Sequence, residues 1–320
     1  MERILIIGAN GQIGSELTGA LAERHGAANV IAADISAQGL RAAPRYVQLD
    51  VLDAPRMARL IADEQITEVY QLAALLSASG EQTPLKAWQL NMDGLLNILE
   101  VARERGAAAQ PLRVFWPSSI AAFGPHTPAD RTPQYAVMDP TSIYGISKLA
   151  GERLCEYYHQ RYGVDVRSIR YPGIISYKSP PGGGTTDYAI AIFHAAQRGE
   201  CYRCFLAQDQ SLPMLYMPDA IRATMELMEA AADAITVRSS YNVAGMSFSP
   251  RELAAAIRAV VPGFQIAYTP DARQSIAASW PHSIDDSCAM RDWGWQPRVD
   301  LAGLVADMLE HVDAAATQPA

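Results

Sequence analysis

The stretch Ile4-Leu5-Ile6-Ile7-Gly8-Ala9-Asn10-Gly11-Gln12-Ile13-Gly14 decides the fold class of this 320-residue chain. Its apolar first half predicts a short strand over residues 3–7, which Gly8 ends. The apolar residues that follow Gly11 have helical spacing and predict a helix as far as His25. The stretch therefore predicts a strand, a glycine turn and a helix.

The spacing of Gly8, Gly11 and Gly14 is typical of a loop that binds a dinucleotide. Without side chains, the backbone N–H groups can approach a pyrophosphate at the positive end of the helix. Asp34 follows twenty residues after Gly14, at the end of the next predicted strand, where a carboxylate accepts hydrogen bonds from ribose hydroxyls. It would repel a 2'-phosphate, so NAD is favoured over NADP. A helix cap or turn residue is the alternative interpretation of Asp34.

Strands and helices continue to alternate as far as residue 170. Strands are predicted over 30–34, 46–49, 68–72, 112–116 and 164–170, and helices over 55–63, 84–105 and 142–162. This order indicates an α/β fold with a Rossmann-type, doubly wound parallel sheet. Later helices are predicted over 187–198, 218–231, 249–260 and 301–314, with a short strand at 241–243 that would return to the main sheet.

Proline and glycine break regular structure at Pro172-Gly173 and again over residues 179–184. We therefore expect an NAD-binding Rossmann domain over residues 1–174 and a smaller, mainly substrate-binding lobe over residues 175–320. Residues 212–245 belong either to that lobe or to the Rossmann domain.

Further cofactor contacts are expected at the carboxyl ends of the predicted strands. Asp50 and Val51 would lie near the adenine ring, and Leu72-Ala73-Ala74 would lie where the dinucleotide crosses the sheet edge. Ordinary turn and packing roles are the alternative for Val51 and Leu72.

Tyr144 and Lys148 are four residues apart in a predicted helix, so their side chains share one helix face. A neighbouring ammonium group stabilises a phenolate, which would lower the tyrosine pKa from about 10 and make Tyr144 a base near neutral pH. Ser118 and Ser119 follow the strand predicted over 112–116. Alone, the Tyr144–Lys148 pair would suit a solvated helix surface. Together with the glycine loop and the two serines, it indicates a catalytic group.

These motifs make the chain resemble the extended short-chain dehydrogenase/reductase family. The general pattern covers about residues 1–175: GANGQIG at 8–14, LAA at 72–74, NMDG at 91–94, PSS at 117–119 and YGISK at 144–148. The later motifs YPGIIS at 171–176, PGGGTTDY at 181–188, LPMLYMPD at 212–219 and WPHSIDDS at 280–287 resemble the L-threonine 3-dehydrogenases within that family.

The resemblance implies metal-independent, NAD-dependent oxidation of L-threonine at C3 to 2-amino-3-oxobutyrate. Tyr144 would be the general base, Lys148 would hold the nicotinamide ribose and lower the Tyr144 pKa, and Ser119 would bond the reacting oxygen. Ser118 would either belong to the catalytic group or satisfy backbone groups at the strand end. The full predicted set of cofactor contacts is Gly8, Asn10, Gly11, Gln12, Ile13, Gly14, Asp34, Asp50, Val51, Leu72, Ala73, Ala74, Asn91, Tyr144, Lys148, Tyr171 and Ile174.

Residues 182–187 open a predicted helix, so Gly184, Thr185 and Thr186 would offer backbone N–H groups and hydroxyls to the carboxylate of a small acid. A flexible linker with a capping threonine is the alternative. Ser79 and Trp280 are expected as pocket walls beside Ser119 and Tyr144, and Trp280 would equally suit a packed loop aromatic.

Two other functions remain open from the residues. A sugar-nucleotide 4-epimerase would use the same serine, tyrosine and lysine, but it also grips a nucleoside diphosphate, usually with cationic side chains that are few in the second lobe. A non-catalytic NAD-binding scaffold would be expected to lose the base or its lysine.

The composition excludes several classes of binding partner. The net charge of -8, without a basic stripe, argues against nucleic acid. No apolar run approaches the roughly 20 residues that span a bilayer, and no signal-type leader is seen, so no membrane association and a cytoplasmic location are expected. Cys201 and Cys204 lack a second pair, so no metal site is expected. The resemblance implies a homodimer through the helices over 84–105 and 142–162, whose apolar faces would equally suit the core.

Overall fold

The structure is a computed structural model that describes residues 2–39, 45–179 and 184–312. The strands are β1 (Ile4–Ile7), β2 (Val30–Asp34), β3 (Tyr46–Gln48), β4 (Glu68–Gln71), β5 (Arg113–Phe115), β6 (Ser118–Ser119), β7 (Val166–Arg167), β8 (Ile169–Tyr171), β9 (Gly173–Ile175), β10 (Tyr202–Cys204), β11 (Leu212–Tyr216), β12 (Tyr241–Asn242), β13 (Met246–Phe248) and β14 (Ile266–Tyr268). The helices are α1 (Gln12–His25), α2 (Ala54–Asp63), α3 (Ser77–Gln82), α4 (Pro84–Ala107), α5 (Ile143–Tyr162), α6 (Tyr188–Gln197), α7 (Met217–Glu229), α8 (Pro250–Val260), α9 (Arg273–Ala277), α10 (Ser287–Trp293) and α11 (Leu301–His311).

The chain divides into two compact units. The first comprises Met1–Ala122, Ile143–Arg170 and Ile221–Tyr241, and the second comprises Phe123–Ser142, Tyr171–Ala220 and Asn242–Ala320. The functional division at residue 174 stays a prediction.

A six-stranded parallel sheet forms the centre of the first unit, in the order β3-β2-β1-β4-β5-β7. All four residues of β1 are buried, as expected for a strand that helices cover on both faces. Side chains from the sheet, α2, α4 and α5 share one apolar core. The predicted α/β, Rossmann-type parallel fold is confirmed. Because the strands are parallel, their carboxyl ends lie at one edge, and that edge carries the candidate site.

The predicted strand over 164–170 is wrong as a single element. β7 completes the six-stranded sheet, whereas β8 lies in a separate sheet of order β12-β8-β6. The break is at Ser168, whose carbonyl accepts the Tyr241 N–H at 2.9 Å and whose hydroxyl lies 2.8 Å from the Ser240 hydroxyl. These contacts from a distant segment redirect the chain, and β12 lies outside the main sheet.

The second unit contains a three-stranded sheet, β13-β11-β9, and the parallel pair β10-β14. The capping box predicted for α8 is confirmed, because the Ser249 hydroxyl accepts the Glu252 N–H while the Glu252 carboxylate accepts the Ser249 N–H. α11 is described to His311, and the last two residues of the helix predicted to 314 lie outside the described residues.

In the described part of the chain, no helix combines the length and the apolar character needed to cross a membrane. Within the same residues, no group of three His, Cys, Asp or Glu side chains is arranged to hold a metal ion.

Candidate active site

The glycine loop after β1 is built for close backbone approach. Gly8 has φ +84°, a conformation that residues with a side chain rarely adopt. A Cβ atom there would lie 2.7 Å from the Ala73 backbone nitrogen, and a Cβ atom on Gly14 would lie 2.2 Å from the Gly8 carbonyl oxygen. The loop after β1 therefore packs directly against the loop after β4 and the first turn of α1.

The first turn of α1, which includes Gln12 and Ile13, has the properties of an anion site. Its N-cap is Gly11, which has no side chain to cap the helix, and no acidic residue occupies the turn. The N–H groups and the positive end of the helix dipole suit a pyrophosphate.

Asp34 ends β2 beside this loop. One carboxylate oxygen accepts the Asn10 N–H at 3.0 Å, and the other accepts the Ser36 N–H at 3.2 Å. Each oxygen keeps a second lone pair for a ribose hydroxyl. The turn role of Asp34 and its proposed role with the cofactor are therefore compatible.

Asn10 adds an unused acceptor. Its amide nitrogen donates to the Gln38 carbonyl, but its Oδ1 is buried and has no hydrogen-bond partner among the described residues. Buried acceptors are usually paired, so this atom fits a donor on a bound molecule. Together with the glycine loop and Asp34, it makes the edge a suitable site for NAD.

The other predicted cofactor residues differ in how far the protein itself already uses their polar atoms. Asp50 accepts the Leu52 N–H at 2.9 Å, and Val51 is buried, with its carbonyl accepting Asn97 Nδ2 at 3.0 Å. These contacts fit the alternative interpretation of Val51 as an ordinary packing residue. Leu72, Ala73 and Ala74 stay half-buried along the sheet edge.

Asn91 on α4 is buried and its side chain is engaged by the protein. Oδ1 accepts the Leu75 N–H at 2.8 Å, while Nδ2 donates to the Leu75 carbonyl at 3.1 Å and to the Ser147 hydroxyl at 3.2 Å. The Ser147 hydroxyl in turn donates to the Tyr144 carbonyl at 2.7 Å. Asn91 thus ties the loop after β4 to the first turn of α5.

Tyr144 and Ser119 come together. Tyr144 lies half-buried in the first turn of α5, and the Ser119 side chain is near enough to act on the Tyr144 pKa. The Ser119 hydroxyl also accepts the Ala121 N–H at 3.2 Å, which fixes its orientation.

Lys148 lies one turn further along α5 and is buried. Its Nζ donates to the Pro117 carbonyl at 2.6 Å and sits 4.5 Å from the centre of the Trp116 ring and 5.4 Å from that of Tyr144. Burial lowers the pKa of Lys148 to about 7, although Cys155 and Glu152 act to raise it.

The expected lowering of the Tyr144 pKa is wrong for the protein by itself. Burial raises the pKa of Tyr144 to about 12, and the Ser119 side chain offsets only part of this rise. The Lys148 ammonium is bonded to the Pro117 carbonyl, so desolvation of the phenolate dominates.

The structure gives the two serines different partners. The Ser118 hydroxyl is buried and donates to Glu152 Oε1 at 2.6 Å, whereas Ser119 meets Tyr144. This geometry favours Ser119 over Ser118 as the partner of a reacting oxygen.

The predicted carboxylate-binding loop lies in the second unit, with residues 180–183 outside the described residues. The Gly184 N–H donates to Asp187 Oδ2 at 2.7 Å, so a carboxylate of the protein already uses this donor. Thr185 is buried, and its Oγ1 has no hydrogen-bond partner among the described residues. Thr186 packs against Gly173, where an added Cβ would lie 2.8 Å from Thr186 Cγ2. The Thr185 hydroxyl is therefore available to a ligand.

The remaining predicted residues belong partly to the first unit and partly to the second. Ser79, in α3 of the first unit, is exposed and donates to the Leu76 carbonyl at 3.3 Å. In the second unit, Tyr171 and Trp280 are buried and Ile174 pairs with Leu215 across β9 and β11. Their binding roles stay predictions.

A cavity of about 590 Å³ lies in the first unit, lined by Glu68, Arg105, Arg113 and Asp165 among others. Glu68 and Arg113 begin β4 and β5, so the cavity is at the amino-terminal edge of the parallel sheet. None of the predicted site residues lines this cavity. The types of the predicted residues place the candidate site at the opposite edge of the sheet.

Comparison with known proteins agrees with this geometry. The model of the NAD dependent epimerase/dehydratase family matches residues 4–244. The chain belongs to this family. Membership confirms the family predicted from the motifs and its NAD-dependent chemistry.

Similar members of this family have been solved or catalogued. An L-threonine dehydrogenase from Cupriavidus necator, in its holo form, is 60% identical with a TM-score of 0.94, covering 97% of this chain and 100% of that chain. A monomeric L-threonine 3-dehydrogenase from a metagenome, in its apo form, is 43% identical with a TM-score of 0.92, covering 97% of this chain and 98% of its own. An uncharacterized epimerase/dehydratase from Staphylococcus saprophyticus is 46% identical over 318 residues, 98% of each chain. The predicted resemblance to L-threonine dehydrogenases is confirmed.

The motifs did not point to Glu152 and Arg170, which form a buried ion pair one helical turn beyond Lys148. A signal was present, because Glu152 follows Lys148 by four residues and Arg170 is a charged residue between Ile169 and Tyr171. Only the fold reveals that the two charges meet.

Proposed function

We propose that this chain is an NAD-dependent L-threonine 3-dehydrogenase that oxidises the C3 hydroxyl of L-threonine to 2-amino-3-oxobutyrate. The observation that carries the proposal is the meeting of Tyr144, Ser119 and Lys148 at the sheet edge that also bears the glycine loop and Asp34. The choice of threonine is supported by the 60% identity to the Cupriavidus necator enzyme.

The chemistry needs a base for the hydroxyl proton and donors for the oxygen. Tyr144, as phenolate, accepts the C3 hydroxyl proton, and Ser119 donates a hydrogen bond that holds the reacting oxygen. When bound, NAD supplies the hydride acceptor and a positive ring charge that favours the phenolate. Lys148 adds a cation beneath the Tyr144 ring when it is protonated.

The ionisation of Tyr144 sets the pH dependence. With a pKa near 12 in the protein alone, Tyr144 holds its proton at neutral pH. The phenolate fraction therefore grows as the pH rises, and we expect kcat/KM to increase with pH on the alkaline side of neutrality.

We propose that the Thr185 hydroxyl, at the entrance to α6, contributes to binding the substrate carboxylate. Its buried and unpaired Oγ1 supports this role, and the amino end of α6 adds a favourable dipole.

The function is tested by incubating the protein with NAD and, in separate reactions, L-threonine, L-serine, UDP-glucose or UDP-galactose. We expect NADH to accumulate with L-threonine and not with the UDP-sugars, and Tyr144→Phe serves as the matched inactive control. Interconversion of the UDP-sugars without net NADH would instead establish a 4-epimerase. NAD binding without turnover of any substrate would establish a scaffold.

We also propose a homodimer formed through α4 and α5. Both helices expose large apolar side chains, with Leu85 86% exposed and Tyr157 51% exposed. Apolar surface of this kind is typical of an interface. Light scattering after size exclusion tests the proposal: a wild-type dimer that Leu85→Glu dissociates supports it, and a wild-type monomer contradicts it.

A cytoplasmic location is proposed on the four free cysteines, which suit a reducing compartment. Cell fractionation tests it.

A further inference from the structure

A buried ion pair joins Glu152 of α5 to Arg170 of β8. Glu152 is 0% exposed and Arg170 is 1% exposed. Arg170 Nε donates to Glu152 Oε1, and its Nη2 donates to Oε2, both at 2.8 Å. This bidentate geometry fixes both the position and the plane of the carboxylate. Because such pairs pay a large desolvation cost, stability alone is a weak reason for one to be present.

The same carboxylate holds the segment that carries the site. Glu152 Oε1 also accepts the Ser118 hydroxyl at 2.6 Å. Ser118 stands between Pro117, whose carbonyl accepts Lys148 Nζ at 2.6 Å, and Ser119, whose side chain acts on the Tyr144 pKa. One anchored carboxylate thus restrains the residues that touch the lysine and the tyrosine.

Glu152 also supplies charge. It follows Lys148 by one helical turn, and its carboxylate acts against burial to keep the Lys148 pKa up. The other groups that face the lysine are Tyr144 and Cys155 on α5 and the Trp116 ring before β6, while Arg170 reaches Glu152 from β8. Arg153 lies 3.9 Å from Glu152 on the outer, half-exposed side.

We propose that Glu152, clamped by Arg170, is a positioning residue that holds Ser118 and thereby sets Pro117 against Lys148 and Ser119 against Tyr144. The inference rests on the proposed dehydrogenase function for its effect on turnover. Its effect on the lysine is independent of any substrate.

The lysine content of the chain allows a direct measurement. The only lysines in the sequence are Lys86, Lys148 and Lys178, so NMR of protein labelled at lysine Cε gives three signals to titrate. Lys148→Met assigns the Lys148 signal. The variants are Glu152→Gln, Glu152→Gln with Arg170→Met, and Ser118→Ala. Glu156→Gln is the matched control, because Glu156 lies on the same helix but pairs with Arg153 at 3.0 Å.

The double variant covers the case in which Glu152→Gln alone does not fold, since removing both charges avoids leaving a buried unpaired arginine. In each folded Glu152 variant we expect the Lys148 midpoint to fall by about one pH unit. We also expect kcat to fall roughly 10- to 100-fold with little change in the KM for threonine. Ser118→Ala keeps the Glu152 charge but releases the segment of Pro117 and Ser119, so it should lower kcat. Glu156→Gln should change neither kcat nor the Lys148 midpoint.

An unchanged Lys148 midpoint in the folded double variant overturns the proposal, and so does wild-type kcat in Ser118→Ala. If the wild-type protein does not oxidise threonine but the midpoint still falls in the Glu152 variants, the proposed function fails while the effect of Glu152 on Lys148 stands.

Discussion

Replacing Lys148 with Met should make the folded protein more stable and nearly inactive. Burial lowers the pKa of Lys148 from 10.5 to about 7. At about 1.4 kcal/mol per pKa unit, keeping this ammonium in the folded state costs about 4 kcal/mol at neutral pH. The contacts with the Pro117 carbonyl and the Trp116 ring stabilise the ammonium and offset part of this cost. We therefore expect Lys148→Met, which keeps the apolar stem and removes the charge, to gain roughly 2–4 kcal/mol.

The gain must depend on pH in one direction. Between pH 7 and 10.5, the unfolded chain keeps a proton at Lys148 that the folded protein has released. The contribution of Lys148 to stability is therefore most unfavourable below the folded pKa and recovers as the pH rises towards the unfolded pKa. The advantage of Lys148→Met should be largest near pH 6 and shrink by about pH 9.

Urea unfolding followed by circular dichroism at both pH values measures this difference. Lys86→Met is the matched control, because Lys86 is exposed on α4 and the same substitution there should change stability little at either pH. A loss of stability in Lys148→Met, or a gain that is the same at both pH values, would show that burial of the ammonium carries no such cost.

Three further predictions concern the site. Tyr144→Phe should remove nearly all threonine oxidation while NAD binding, measured by titration, stays largely intact; more than about a tenth of wild-type turnover would exclude Tyr144 as the base, since such catalysis is typically worth 10²–10⁴-fold. Asp34→Ala should reduce the preference for NAD over NADP in kcat/KM, because the carboxylate repels a 2'-phosphate, and an unchanged ratio would remove Asp34 from that role. Thr185→Val, which keeps the shape and removes the hydroxyl, should raise the KM for threonine roughly tenfold, whereas weaker NAD binding with the same KM would make the loop a cofactor lid.

Local patterns were sufficient to predict much of the fold and part of the site. Strands such as Ile4–Ile7 and Val30–Asp34 are short apolar runs bounded by glycine or polar residues, so their length and their boundaries located them. The pairing of Tyr144 with Lys148 also follows from helix geometry, because residues four apart share a face wherever the helix lies. The short strands β9, β10, β13 and β14 were not predicted, because their pairing partners, not their own residues, define them.

The sequence by itself determined the α/β class, the glycine loop, Asp34 and the order of serine, tyrosine and lysine, since each depends on neighbours within a few residues. Only the tertiary structure decided which serine meets Tyr144, because Ser118 is turned to Glu152, a residue 34 positions away. It also decided the direction of the Tyr144 pKa. Proximity to a lysine in sequence predicted a fall, but burial is a property of the whole fold, and in the protein alone it outweighs the neighbouring charge.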